Sequence, residues 1–197
     1  MKKRLGALER LFPMPCVIVV GGTMEEADPI TVAWINVIAS TPPTVAMGLR
    51  ESRRSLELIR KTGELTVNIP STSDVAAVDY CGLVSGHSAD KIAASGLTLE
   101  PGVALSTPMI AECAYNLECR VTQELQVGAY AVVFAEIVET HAEENILLGD
   151  TDVVDMEALD PLTYIPGARE YRALGAKVAD AYSIGKTLRT GSDLLGS

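Results

Sequence analysis

Apolar residues occur along this chain in short bursts, and their spacing changes from one burst to the next. Cys16 to Val20 is an unbroken apolar run, as expected of a strand covered on both faces, and Gly21-Gly22 closes it. After an acidic turn at Met24 to Asp28, Ile30 to Trp34 is a short β-rich run. Ser40-Thr41-Pro42-Pro43 then forces the backbone extended or turned, and Thr44 to Leu49 is the next strand. Leu56, Leu58 and Ile59 change to helical spacing, which predicts a helix over 56–61 with Ser52 as N-cap and Gly63 at its end. Glu64 to Ile69 alternates polar and apolar residues as a strand, and Pro70 stops it.

Further on, Ser73 or Asp74 caps a helix running through Val75 and Val78 toward Leu83, and Ser88 caps a short helix over 89–95 that Gly96 ends. Residues 97–108 are irregular. The two longest strands follow, Ala114 to Leu125 and Tyr130 to Thr140, joined as an antiparallel hairpin by Gln126-Val127-Gly128-Ala129. Ile146 to Leu148 is a short strand at most, and 150–166 is a long loop or a short helix around Met156. The first ten residues are an opening helical segment, and the Gly/Ser-rich stretch 183–197 is a mobile tail beyond a single domain over 1–182. Strands this close together, with short helices between them, predict a mainly β fold: an antiparallel barrel with a few covering helices.

Composition narrows the function. With 16 basic against 26 acidic side chains the net charge is −10, which argues against nucleic acid as the main partner. Glu9, Arg10, Pro13 and Pro15 interrupt the start, so no secretory or membrane-spanning segment is read there and a cytoplasmic location is expected. Cys16, Cys81, Cys113 and Cys119 are widely spaced and read as core thiols. Two histidines without ligand spacing make a metal site unexpected, and a Cys81–His87 nucleophile pair is the weaker reading of those residues. There is no dinucleotide or P-loop glycine motif.

The anomaly lies where the 56–61 helix begins. Arg53 and Arg54 sit at the positive end of a helix dipole, where cations are disfavoured. Two explanations stay open: an anion such as a phosphate occupies the spot, or both arginines pair with Glu51 or Glu57 in solvent. Lys91 repeats the pattern at the next helix start, with Asp90 as its alternative partner on a solvated face.

Four stretches in register resemble the flavin reductase-like, FMN-binding split-barrel family that includes flavoredoxin. They are Ile30-Thr31-Val32-Ala33-Trp34 with Ser40-Thr41-Pro42-Pro43; Arg50 with Ser52-Arg53-Arg54-Ser55; Cys81-Gly82 with Ser85-Gly86 and Asp90-Lys91; and Pro108 to Cys113 with Asn116 to Cys119. Tyr171-Arg172-Ala173-Leu174-Gly175 is similar to the family's closing stretch. The resemblance implies a six-stranded antiparallel barrel of Greek-key type, a homodimer, and FMN near the subunit interface. Arg50, Arg53, Arg54 and Ser55 would hold the phosphate. Thr31, Val32, Ala33 and Trp34 would lie along the ring and ribityl chain, Ser40, Thr41 and Pro42 would line the ring's polar edge, and Ser85, Gly86 and Lys91 would close the site. It further implies an NAD(P)H-dependent flavin reductase or flavoredoxin-like oxidoreductase, with NADH or NADPH as electron donor, no catalytic side chain, and a flavin substrate or a redox partner protein. The alternative is an FMN-binding electron carrier or dimeric binding module that does not oxidise NAD(P)H.

Overall fold

The apolar run near the N-terminus is buried on both faces because it separates two layers of core. Val17 and Val19 point into one apolar cluster, while Cys16, Ile18 and Val20 point into another. The structure, a computed structural model, describes residues 1–188. Its elements in chain order are β1 (Met14–Pro15), β2 (Val17–Gly22), β3 (Ala27–Val32), β4 (Ile35–Ser40), β5 (Pro43–Arg50) and α1 (Arg54–Thr62). Then come β6 (Glu64–Ile69), α2 (Val75–Leu83), α3 (Lys91–Ser95), β7 (Leu99–Glu100), β8 (Met109–Ile110), β9 (Tyr115–Val127) and β10 (Tyr130–Ala142). The last are α4 (Met156–Leu159), β11 (Thr163–Ile165) and β12 (Glu170–Arg172).

The main sheet is antiparallel throughout, in the order β3-β2-β6-β9-β10-β5-β4. The strands β5, β6, β9 and β10, consecutive within this sheet because β7 and β8 pair separately, stand in space as β5-β10-β9-β6, a Greek key. Six of these strands make the expected split barrel, and β4 adds a seventh at the edge. Val45, Met47, Leu49, Leu65, Val67, Val133 and Ala135 fill the interior, and Leu56 and Ile59 of α1 plug one end. That plug sets a close approach. A Cβ on Gly21 would lie 2.6 Å from the Ser55 carbonyl oxygen and 2.7 Å from Ile59, so only glycine lets α1 sit this near β2. The second cluster lies outside the barrel wall, where Val78 and Cys81 of α2 cover Ile18 and Val20 with Ile110 and Leu162.

Several local expectations change. The opening helical segment is absent: residues before β1 carry no helix or strand, and Leu5, Leu8, Leu11 and Phe12 stay exposed. A segment this short does not hold a helix without a surface to pack on. Ser52 is not the cap of α1, because the chain turns through an Arg53 N–H to Arg50 carbonyl bond and Arg53 takes the N-cap position. Gly63 closes the helix as expected, donating to the Ile59 carbonyl at 2.7 Å. Asp90, not Ser88, caps α3, accepting from the Ala93 N–H at 3.1 Å. At the expected short strand 146–148, Ile146 ends a 3-10 turn over 144–146 and Leu147 makes only an isolated bridge to Val154; of the expected tail 184–188 form another 3-10 turn, while 189–197 lie outside the described residues.

Candidate functional site

Beyond β3 the chain passes through Ala33 and Trp34 before turning into β4, and this crossing faces the end of β5 and the head of α1. Between them lies a cleft of about 400 Å³. Thr31, Val32, Ala33 and Trp34 form one wall; Gly48, Leu49, Arg50 and Arg53 form the other; Glu9 of the N-terminal arm and Tyr130 also line it. The β5–β10 register sets Tyr130 opposite Arg50. The Arg50 guanidinium lies 5.2 Å from the Tyr130 ring centroid, within cation–π range, and the Trp34 ring centroid is 5.1 Å from the same ring. One tyrosine thus holds both a cation and an aromatic face in place.

The charges around α1 are handled unequally. Arg54 pairs with Glu26 at 3.2 Å and donates to the Gly86 carbonyl at 3.4 Å. Arg53 donates to the Gly82 carbonyl at 3.2 Å, but among the described residues neither Arg53 nor Arg50 has an ion-pair partner. Glu51 is engaged by Arg60 at 2.8 Å, and Glu57 lies 3.4 Å from His87, so neither carboxylate serves these arginines. The Arg53 amide donates to the Arg50 carbonyl and the Leu56 amide to the Arg53 carbonyl, no side chain caps α1, and the dipole adds positive potential at its head. In an acidic protein, two unpaired guanidiniums beside a helix head make a local anion site.

A second polar cluster sits behind that helix. The Asp28 carboxylate accepts from Ser55 Oγ at 2.5 Å and from Lys91 Nζ at 2.9 Å, and Asp28 and Lys91 are each 3% exposed. Gly86 packs against the same carboxylate so closely that a Cβ there would collide with it. Ser85 organises its own turn, its hydroxyl accepting from the His87 N–H at 3.3 Å and its carbonyl from the Ser88 N–H at 3.0 Å. Lys91 is therefore not on a solvated face with Asp90. Ser55, Gly86 and Lys91 do meet, but around a carboxylate.

Ser40, Thr41 and Pro42 are placed elsewhere. They are exposed, at the turn of the β4–β5 ribbon, where Ser40 pairs with Pro43. Pro43 and Arg50 stand seven positions apart along β5, roughly 23 Å at strand spacing. The fourteen residues proposed for a cofactor thus fall into three groups, of which Thr31, Val32, Ala33, Trp34, Arg50 and Arg53 share the cleft. Two residues escaped sequence reasoning. Tyr130 joins the site only through strand register. Asp28 carried one signal, an acid at the entry to an apolar strand.

The thiols support a core role. Burial pushes Cys81 up to about 11, and Cys16 and Cys119 to about 12, so none is a ready nucleophile. His87 faces Glu57 instead of Cys81. Among the described residues no three metal-ligating side chains cluster, and no helix is long and apolar enough to cross a membrane.

Known proteins of similar sequence and shape converge on one group. Flavoredoxin of Desulfovibrio vulgaris (Miyazaki F) superposes with a TM-score of 0.88 at 31% identity, covering 94% of this chain and 100% of that one. Flavoredoxin from Methanosarcina acetivorans gives 0.86 at 31% identity, over 95% of this chain and 100% of that one. An uncharacterized protein of Archaeoglobus fulgidus is 31% identical over 137 residues, 69% of this chain and 77% of its own. The flavin reductase like domain matches residues 8–175, and the chain, a split β-barrel across that span, belongs to this family.

Proposed function

We propose that the chain binds FMN in the cleft between Thr31–Trp34 and the head of α1, and acts as an NAD(P)H-dependent flavin reductase or flavoredoxin-like oxidoreductase. The observation that carries this reading is that, among the described residues, Arg50 and Arg53 have no ion-pair partner and stand beside a helix N-terminus that no side chain caps. The residues fit the group: two guanidiniums and helical amides suit a phosphate, and the Trp34–Tyr130 pair with the backbone of 31–34 suits a flat ring. When bound, FMN would supply the redox chemistry, accepting hydride from NADH or NADPH and passing electrons onward. The chain's part is to clamp the phosphate with Arg50 and Arg53, to orient the ring along β3, and to offer backbone donors where negative charge grows. No side-chain acid or base is assigned.

The reading includes a homodimer. It is supported by β4, an edge strand exposed along nearly its whole length, with Val37 58% and Ile38 53% exposed. Ser40, Thr41 and Pro42, remote from their own cleft, would meet a cofactor from a second copy. Four free, buried cysteines suit a reducing, cytoplasmic setting. The 31% identity to two flavoredoxins keeps one alternative in view, an FMN-binding electron carrier without NAD(P)H oxidation.

Quenching of FMN fluorescence by the purified chain is the first test, and saturable quenching is the expected result. NADH and NADPH oxidation in air, with and without added FMN, then separates reductase from carrier. Undiminished FMN fluorescence at any protein concentration would end the reading.

A further inference from the structure

A groove of about 810 Å³ opens between α4 and the chain that follows β12, with Leu148, Met156 and Glu157 on one side and Leu174, Lys177 and Val178 on the other. Its apolar rim is bare: Met156 is 46% exposed, Leu174 47% and Val178 99%. Its charge is one-sided. Seven acids and no lysine or arginine fall between Ala142 and Arg169, and three of them, Asp155, Glu157 and Asp160, line the groove. Asp155 caps α4 through the Glu157 N–H, and Asp160 accepts from the Thr72 hydroxyl. Lys177, the base in the lining, is taken by Asp180 at 2.5 Å, so it does not offset these acids.

The N-terminal arm has the opposite character. Four of the sixteen basic side chains, Lys2, Lys3, Arg4 and Arg10, crowd into the first ten residues beside a single acid, Glu9. Leu5 follows the basic run and is 65% exposed. The arm also leaves in the wrong direction for the groove of its own chain. Met14 stands opposite Tyr164, and Arg10 packs on Gly167, where a Cβ would lie 3.0 Å from its guanidinium carbon. The arm thus runs from the open end of the β11–β12 hairpin toward its turn, whereas α4 and residues 174–178 flank the open end. Gly6, at φ 77, then breaks the arm with a left-handed bend, and no arm residue lines the groove.

We propose that the groove receives the tip of the N-terminal arm of a second copy of this chain, with Leu5 seated against Met156 and Leu174 and with Lys2, Lys3 and Arg4 against the acids of 143–160. Opposite charge draws the tip in, and burial of the leucine holds it. The exchange is isologous: each copy gives a tip and offers a groove, so two copies close the arrangement. The contact is separate from the cofactor cleft and from the β4 edge, so it and the flavin reading can fail independently.

Mixing two full-length variants, Ala7→Cys and Ala176→Cys, under mild oxidation reads the exchange directly, because both positions are exposed and the four native thiols are buried. A disulfide joining one variant to the other is expected on a non-reducing gel. Lys2→Glu, Lys3→Glu and Arg4→Glu together, added to the Ala7→Cys chain, should slow that cross-link about tenfold, through loss of several exposed charge pairs. Salt at roughly 1 M should slow it as well. Asp152→Lys with Glu157→Lys in the Ala176→Cys chain should recover part of the rate lost to the reversed arm, and Leu5→Ser alone should slow the reaction at any salt concentration. Melting temperatures close to the wild type's identify these as effects on docking and not on folding. Absence of the mixed disulfide overturns the proposal. So does a cross-link whose rate ignores both charge reversal and salt, or a chain carrying both cysteine substitutions that forms only an intramolecular bond, which would give the groove to its own arm.

Discussion

The two ends of β3 treat positive charge in opposite ways. At its start, Asp28 takes the Lys91 ammonium and the Ser55 hydroxyl into a site almost sealed from water. At its end, Arg50 and Arg53 border a cleft and meet no carboxylate among the described residues. The first arrangement ties β3, α1, α3 and the turn at Gly86 together, and it leaves no charge to spare. The second leaves charge unspent where a ligand can enter. A buried ion must find its partner inside the fold, whereas a partly solvated one can wait for a partner from outside. Residue type alone does not separate these cases, because serine, lysine and arginine at a helix start look alike until burial is known.

The contrast can be broken by removing each kind of charge. Arg50→Ala with Arg53→Ala should cost about 3–6 kcal/mol of FMN affinity, two charge-assisted contacts, with little change in melting temperature. Fluorescence titration measures the first and thermal unfolding the second; an unchanged affinity would erase the distinction drawn here. Asp28→Ala should do the reverse. It strands the buried Lys91, for a loss of about 3–5 kcal/mol in urea unfolding, and adding Lys91→Met should restore part of that.

A third variant sharpens the idea that satisfied buried charge serves the fold. Glu118 is fully buried and accepts from the N–H groups of Val103, Ala104 and Leu105 and contacts His141 Nε2 at 2.7 Å. Burial, the largest influence, pushes its carboxyl up, but the hydrogen bonds from Ala104, His141, Val103 and Leu105 together hold it below 4.5. Glu118→Gln should therefore cost about 2–3 kcal/mol near neutral pH. A depressed carboxyl contributes its stability above its unfolded value and loses it as pH falls through the folded one. The gap between wild type and variant should thus close in acid, below about pH 4, and a gap constant with pH would contradict the charged state. Arg54→Ala is the smallest step. Its partner Glu26 is partly solvated, so stability and FMN affinity should each move by less than about 1 kcal/mol.

Much of the architecture was legible because it depends on local pattern. The alternation in 64–69, the hairpin at 126–129 and the glycine stops at Gly63 and Gly96 each reflect backbone preferences that act over a few residues. The strand β4 was missed because Ile35 to Ser40 stands exposed at an edge and shows no buried face to betray it. Cap positions at Ser52 and Ser88 slipped by one or two residues, since tertiary contacts decide among adjacent candidates with similar propensity.

Sequence by itself determined the mainly β class and the region where charge accumulates, because these follow from spacing and composition, and the resemblance of four short stretches pointed to the family. Only the tertiary structure decided which cations are used up. It drew Asp28 against Lys91 from 63 positions away and set Tyr130 under Arg50 through strand register. It also carried Ser40, Thr41 and Pro42 to the far end of the ribbon. Burial and register are properties of the assembled sheet, and no stretch of the chain contains them alone.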